Sequence, residues 1–353
     1  MTWKSMIQKH HFIHIFILTV FFIGVSAVAF NGKAVAKTKR NDFYIKSSVE
    51  EGAKIYVRER YKKGQMPKTN EKAVLFIHGA TYSGASFDLD VEGYGWMESA
   101  AQAGYACYYL DIRGYGRSTR PAALDEAPGE NKPFSFSKDA VKDIDDAVRF
   151  ILDKTAAEKI NLVGWSWGTV TAGMYTAENN ALVDRLVLFA PVYSWKVPSW
   201  TQKLADKEDP SKLANVGAYR SVDKQSARSR WEVQILPENK DEWRDDKVFD
   251  AWFKGAIETE PWGVVRAPNG VLVDIWEIFN ARAIYDASKI TAPTLVIRGS
   301  NDPTATRGDA QGLYDLLGSE VKRYVEIGNT THFTPLERKA RQLFREVQTF
   351  LDE

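Results

Sequence analysis

Short, continuous apolar runs recur along the chain and are separated by polar segments. An apolar run of this kind, bounded by glycine or charged residues, is typical of a strand buried on both faces of a parallel sheet. The runs that predict such strands lie at 72–79, 105–112, 159–165, 184–190, 292–299 and 322–328. The more polar segments 43–47 and 54–60 predict two exposed antiparallel strands ahead of them.

Helical patterns alternate with the buried strands. Between residues 137 and 154, apolar side chains recur at helical spacing, with Ser137 as the predicted N-cap. Further helices are predicted directly after Ser166, near 309–317 and over 336–351. This alternation predicts an α/β fold with a doubly wound, mostly parallel sheet.

The alternation stops after Pro191 and resumes near Ser288. The segment between them is polar, yet it holds seven of the eleven tryptophans: Trp195, Trp200, Trp231, Trp243, Trp252, Trp262 and Trp276. We interpret 192–288 as a helical cap inserted between two strands of a core that consists of 37–191 and 289–353. The aromatic faces of the tryptophans could line an apolar pocket, or they could form the interior of the cap.

The N-terminal segment differs from the rest of the chain. Lys4 and Lys9 precede an apolar run at 12–30, and no acidic residue occurs before Asp42. This pattern, followed by Ala-Val-Ala at 34–36, predicts that 1–36 is a signal peptide and that the protein is exported, to the periplasm or the medium. The alternative is an uncleaved anchor that holds the protein in a membrane through 12–30.

Composition narrows the possible functions. The chain has 47 Lys and Arg against 46 Asp and Glu, so its charge predicts no nucleic-acid partner. Its single cysteine, Cys107, excludes an intrachain disulfide. No phosphate loop, dinucleotide fingerprint or metal-ligand spacing occurs, so we expect neither a cofactor nor a bound metal.

The stretch Gly164-Trp165-Ser166-Trp167-Gly168 has the pattern G-x-S-x-G and lies between an apolar strand and a helix. In this setting the glycines let strand and helix pass closely, and the serine sits on a strained turn with its hydroxyl exposed. The N–H of Trp167, at the helix start, can then point toward an oxyanion. The alternative is that Ser166 is an ordinary serine at the beginning of a helix.

With these residues the chain resembles the α/β-hydrolase-fold serine hydrolases. That family has a His-Gly loop after an early strand, here His78-Gly79-Ala80-Thr81, and often D-x-R-G-x-G-x-S after the next, here Asp111 to Ser118. It also has an acid after a late strand, here in "RGSND", and a histidine after the last, here in "GNTTHF". The resemblance implies a catalytic triad of Ser166, Asp302 and His332, with an oxyanion hole formed by the N–H groups of Trp167 and Ala80.

Alternatives exist for the other site residues. Three of the five histidines lie in the N-terminal segment, which leaves His332 as the base and His78 as a residue that shapes the oxyanion loop. Asp309 is the second candidate for the acid, but we expect it to be the N-cap of the following helix. In the loop after the 105–112 strand, Arg113 is expected to pair with Asp111.

The resemblance implies an exported serine hydrolase that cleaves a carboxylic ester, or failing that an amide, in a small-molecule substrate. The substrate is expected to carry an apolar acyl or aryl group bound by Trp165, Trp195, Trp252 and Trp276. A membrane is a partner only if the N-terminal segment is retained. The alternatives are thioester hydrolysis, C–C bond hydrolysis or perhydrolysis by the same triad, or a member of the fold that binds a ligand without turnover.

Overall fold

The computed structural model describes residues 37–64 and 72–353. The predicted signal peptide or anchor at 1–36 lies outside the described residues. Within the described ranges, no helix combines the length and the apolar character needed to cross a bilayer.

Eight strands form the central sheet of the described chain, and two more form a small separate sheet. In chain order the strands are β1 (Thr38–Lys46), β2 (Lys54–Lys62), β3 (Ala73–Ile77), β4 (Ala106–Asp111), β5 (Ile160–Trp165), β6 (Val183–Phe189), β7 (Tyr219–Val222), β8 (Val265–Pro268), β9 (Thr294–Gly299) and β10 (Lys322–Ile327). The central order is β1-β2-β4-β3-β5-β6-β9-β10. Strands β1 and β2 are antiparallel to each other, and β2 is antiparallel to β4, whereas the remaining pairs are parallel.

Nine α-helices lie within the described ranges. They are α1 (Trp96–Gln102), α2 (Ser137–Thr155), α3 (Trp167–Asn179), α4 (Pro198–Leu204), α5 (Lys224–Glu232), α6 (Asp246–Ile257), α7 (Gly270–Phe279), α8 (Arg307–Leu316) and α9 (Ala340–Leu351). Helix α2 packs against α3, and α1 packs against α9. Strands β3, β4 and β5 are buried along their whole length, as continuous apolar runs require. The predicted doubly wound, mostly parallel α/β fold is confirmed.

The segment between β6 and β9 contains α4 to α7, but it is not purely helical. Strands β7 and β8 pair antiparallel within it, with Tyr219 opposite Pro268. Each of these strands has only four residues, too few to show an alternating pattern in the sequence. The description of this segment as a helical cap is therefore incomplete. We keep the name cap for 192–288, whose boundaries remain a prediction.

The predicted N-cap of α2 is wrong by one residue. Phe136 occupies the cap position, and Ser137 is the first residue of the helix. The backbone N–H of Ser137 donates to the carboxylate of Asp274 on α7, at 2.8 Å. A carboxylate from the cap thus satisfies one of the free N–H groups in the first turn of the helix.

Glycines allow α3 to cross the ends of β3 and β5. A Cβ on Gly164 would lie 2.4 Å from the carbonyl oxygen of Gly168, and a Cβ on Gly168 would lie 2.3 Å from that of Ile77. These distances are shorter than any non-bonded contact allows. The turn that carries Ser166 therefore requires glycine at both positions.

Replacing Gly168 with alanine is expected to lower the free energy of unfolding by at least about 2 kcal/mol, because the new methyl group forces backbone shifts. Gly312→Ala in α8 is the matched control, since no atom outside the backbone of its own helix lies within 4 Å of the added Cβ. That variant is expected to be unchanged or up to about 1 kcal/mol more stable. Urea denaturation measures both, and equal stability of the two variants would contradict the close crossing.

Candidate active site

Ser166 sits on a strained turn between β5 and α3. Its backbone has φ 59° and ψ −124°, a conformation that non-glycine residues rarely adopt. Neighbouring groups hold it there: the Ser166 N–H donates to the carbonyl of Phe189 at 2.9 Å, and the Thr169 N–H donates to the Ser166 carbonyl at 2.8 Å. The strand–turn–helix geometry expected for a G-x-S-x-G sequence is therefore present.

His332 and Asp302 form a buried hydrogen-bonded pair. The Nδ1 atom of His332 lies 2.7 Å from Oδ2 of Asp302. The other carboxylate oxygen accepts the backbone N–H groups of Thr304 and Ala305 at 2.8 and 2.9 Å. The carboxylate is thus held on both oxygens, and Nε2 is the nitrogen of His332 that remains for proton transfer.

The backbone of His332 connects the core with the cap. The carbonyl of His332 accepts the indole N–H of Trp165 at 3.0 Å. Its N–H donates to the side-chain oxygen of Gln234, a cap residue, at 3.2 Å. The loop after β10 is therefore held from both sides.

Asp309 does not belong to this pair, and its expected role as an N-cap is wrong. Thr306 caps α8. The buried carboxylate of Asp309 instead accepts the backbone N–H groups of Tyr193 and Ser194, both at 2.9 Å. It fixes the start of the cap, and burial raises the pKa of Asp309 to about 6.

His78 orients the loop after β3. Its Nε2 accepts the Ile112 N–H at 3.1 Å, so Nδ1 carries the proton and donates to the Gly79 carbonyl at 2.9 Å. Burial lowers the pKa of His78 to about 4, which keeps the ring neutral. Because the Gly79 carbonyl and the Ala80 N–H belong to one trans peptide, this bond also sets the direction of the Ala80 N–H.

A narrow cavity of ≈ 30 Å³ opens beside Ser166. It is lined by His78, Gly79, Ala80, Thr81, Tyr82, Ser86, Trp165, Ser166, Arg230, His332 and Phe333. The structure thus brings Ser166, His332 and Ala80 together around one space, with Asp302 behind His332. Trp167, the first residue of α3, has no preceding helical carbonyl for its N–H, and its indole donates to Asp274 at 2.9 Å.

Of the four tryptophans predicted to bind substrate, only Trp165 lines this cavity. Trp252 and Trp276 are buried, and the Trp252 indole donates to the Ser86 hydroxyl at 3.1 Å. Trp195 is 46% exposed. Packing of the cap interior and its contacts with the core explain the buried tryptophans, as the second interpretation expected.

The aromatic side chains that line the cavity are Tyr82, Trp165 and Phe333. Arg230, on α5, is the cap residue that lines it. Sequence reasoning missed Tyr82 and Arg230. Arg230 lies in a helix rich in polar residues, where one arginine among several carries no distinguishing signal.

The loop after β4 is structural, although its predicted ion pair is wrong. Arg113 pairs with Asp143 on α2 and with Glu50, each at 2.6 Å. Asp111 instead accepts the N–H groups of Gly84 and Arg117, at 2.9 and 2.8 Å. Two backbone donors therefore take the place of the expected guanidinium.

No group of three or more His, Cys, Asp or Glu side chains in the described ranges is arranged to hold a metal ion.

Residues 72–339 match the α/β hydrolase fold family. The chain belongs to that family. The match begins at the residue before β3 and ends at the residue before α9. It therefore includes the Ser166 turn, the cap and the His332 loop.

Two curated relatives show weak similarity. Human lipase member N is 27% identical over 135 residues, which make up 37% of this chain and 34% of that protein. A probable lysophospholipase of Arabidopsis thaliana, BODYGUARD 2, is 28% identical over 143 residues, or 40% of this chain and 27% of that protein. The similarity thus spans only about a third of the length of these relatives.

Solved structures share the fold over most of the chain. An esterase from Exiguobacterium antarcticum has a TM-score of 0.59 at 16% identity, with 88% of this chain and 99% of that chain covered. An enol-lactonase from Burkholderia xenovorans has a TM-score of 0.57 at 17% identity, with 88% and 100% covered. At this level of identity, the structural likeness shows that the fold is shared. Membership of the family, together with its esterase and lipase relatives, supports the interpretation that this chain is a hydrolase.

The raised pKa of Asp309 predicts a pH-dependent contribution to stability. A carboxyl with a folded pKa of about 6, against an ordinary value of 3.8, stabilises the fold most below pH 3.8 and loses this contribution as the pH rises through 6. The free energy of unfolding of the wild type minus that of Asp309→Asn should therefore fall between about pH 4.5 and about pH 7.5.

Asp286→Asn is the control, because Asp286 is exposed and its pKa lies below the ordinary value, so it finishes titrating below this range. Its difference from the wild type should stay constant between the same two pH values. Urea denaturation of the three proteins measures both differences, and a constant difference for Asp309→Asn would contradict the assignment.

Proposed function

We propose that this chain is an exported serine hydrolase that cleaves a carboxylic ester through Ser166, His332 and Asp302. The observation that carries the proposal is the 2.7 Å bond between His332 and Asp302, placed beside a serine on a strained turn in one cavity. Export rests on the pattern of residues 1–36 alone.

The proposed reaction proceeds through an acyl-enzyme. Ser166 Oγ attacks the ester carbonyl while His332 Nε2 takes its proton, and Asp302 holds the imidazole and stabilises its positive charge. The carbonyl oxygen becomes an oxyanion that the N–H groups of Trp167 and Ala80 stabilise. The C–O bond to the alcohol breaks, and the alcohol leaves with the proton from His332. Water, deprotonated by His332, then releases the acid from Ser166.

The substrate proposed is a small molecule with an apolar acyl or aryl group. Tyr82, Trp165 and Phe333 offer aromatic surface to such a group. A cavity of ≈ 30 Å³ holds only a few water-sized groups. An acyl group much larger than acetyl would therefore extend beyond this space.

Kinetics of two variants with matched controls test the proposal. Ser166→Ala and Asp302→Asn should each lower kcat for an aryl acetate by about 10⁴-fold or more, because they remove the nucleophile and the group that orients its base. Their controls are Ser86→Ala, which changes another serine of the same cavity, and Asp309→Asn, which changes another buried acid.

Both controls should retain turnover within about tenfold of the wild type while losing about 1–3 kcal/mol of stability from a lost hydrogen bond. Turnover by Ser166→Ala at the wild-type rate would overturn the assignment of the nucleophile. A larger loss in Asp309→Asn than in Asp302→Asn would move the acid.

A further inference from the structure

The cavity beside Ser166 has a cation in its wall. Arg230, on α5 of the cap, lines the same space as Ser166 and His332. It is the one Lys, Arg, Asp or Glu side chain among the described residues that line the cavity. A positive charge at this position acts on any ligand that binds in the cavity.

No carboxylate neutralises this charge. Within the described ranges, no acidic oxygen lies within 4.0 Å of the Arg230 guanidinium, and the groups that stabilise its charge electrostatically are Tyr82 and Asp302. Asp302 is already committed to His332 and to two backbone N–H groups. Burial without a partner lowers the pKa of Arg230.

Arg228, on the same helix, differs from Arg230 in having acidic partners. Its guanidinium pairs with Asp246 at 2.6 Å and with Glu232 at 3.3 Å. Both arginines also lie over an aromatic ring, Arg228 over Phe249 at 4.5 Å and Arg230 over Trp200 at 5.1 Å. Stacking of this kind positions a guanidinium but leaves its charge in place.

A second donor without a partner lines the same cavity. The hydroxyl of Tyr82 is buried and has no hydrogen-bond partner among the described residues. An unpaired buried hydroxyl is costly unless a ligand or water bonds it. Arg230 and Tyr82 together therefore offer donors to an acceptor that the protein itself does not supply.

Arg220 adds positive potential behind this wall. Its guanidinium donates to the Ala80 carbonyl at 2.6 Å and to the Thr81 hydroxyl at 2.9 Å, both uncharged oxygens. Burial lowers the pKa of Arg220 to about 10, and its charge acts on both Tyr82 and Arg230. Two arginines without carboxylate partners thus lie near one end of the cavity.

We propose that the cavity selects esters that carry a negative charge, preferably a carboxylate, and that Arg230 binds this group. A carboxylate matches the planar fork of a guanidinium and leaves an oxygen for the Tyr82 hydroxyl. The inference rests on the proposed ester hydrolysis and names the class of ester. The charge could lie in the alcohol part or in the acyl part of the substrate.

Two ester pairs distinguish these positions. The alcohol pair is 3-acetoxybenzoate and neutral 3-methylphenyl acetate; the acyl pair is monomethyl adipate and neutral methyl hexanoate. The measurement is the ratio of kcat/KM for the anionic ester to that for its neutral partner. We expect the wild type to prefer the anionic ester in one pair, and that pair identifies the part of the substrate that reaches Arg230.

Arg230→Met keeps most of the side-chain length and removes the charge. It should lower that ratio roughly 10- to 100-fold, the worth of a charge-assisted hydrogen bond, mainly through KM. Turnover of the neutral ester is the internal reference of this ratio, and circular dichroism checks that the variant is folded. Arg230→Lys should retain part of the preference, and Arg228→Met should leave the ratio unchanged.

The outcomes separate this inference from the proposed function. If the wild type hydrolyses none of the four esters, the proposed function fails. If it hydrolyses the neutral esters without preferring an anionic one, or if Arg230→Met keeps the wild-type ratio, ester hydrolysis stands and the role of Arg230 is overturned. An equal loss on charged and neutral esters in Arg230→Met, with no change in their ratio, also contradicts it.

Discussion

The candidate active site depends on the close approach of three backbone segments at the carboxyl ends of β3 and β5. Gly168 brings α3 against the carbonyls of Ile77 and His78, where an added Cβ would lie 2.3 and 2.7 Å away. Gly79 lies against the Ser166 turn, since a Cβ there would be 3.0 Å from the Trp165 carbonyl oxygen. Because no side chain separates these segments, the proposed nucleophile and both proposed oxyanion donors occupy one small space. Loss of this approach would separate the Ser166 turn from the Ala80 loop.

The cap is attached to the residues that build the site rather than to remote surface. Asp274 of α7 accepts the Trp167 indole and the first N–H of α2, and its burial raises the pKa of Asp274 to about 6. The Trp231 indole donates to Glu337 at 2.9 Å, and Glu337 in turn accepts the Thr331 N–H next to His332. Any shift of the cap therefore reaches the supports of Trp167 and His332.

Local patterns were sufficient to predict the core of the fold, and the resemblance to the α/β-hydrolase-fold serine hydrolases supplied the candidate site. Parallel strands place their carboxyl ends at one edge, so residues that directly follow β5, β9 and β10 converge whatever lies between them in sequence. Ser166, Asp302 and His332 are such residues. The glycines around Ser166 also carry a local signal, because they are required by the turn itself.

Features that depend on tertiary contacts could not be predicted. Serine is a residue type that is favoured at N-caps, but the N–H of Ser137 donates to Asp274 on a distant helix. Arg113 stands close to Asp111 in sequence, yet Asp143 and Glu50 surround its guanidinium. Whether a cap tryptophan faces the cavity or the cap interior depends on how α4 to α7 pack. The position of Arg230 in the cavity wall depends on the same packing and could not be predicted from the sequence.

The most direct measurement is a crystal structure of the protein after reaction with a fluorophosphonate. The account predicts phosphorus bonded to Ser166 Oγ and to no other residue. It also predicts a phosphoryl oxygen within about 3.1 Å of the backbone nitrogens of both Trp167 and Ala80, the distance of a hydrogen bond to an oxyanion. An adduct on another side chain, or a phosphoryl oxygen turned away from both nitrogens, would contradict it.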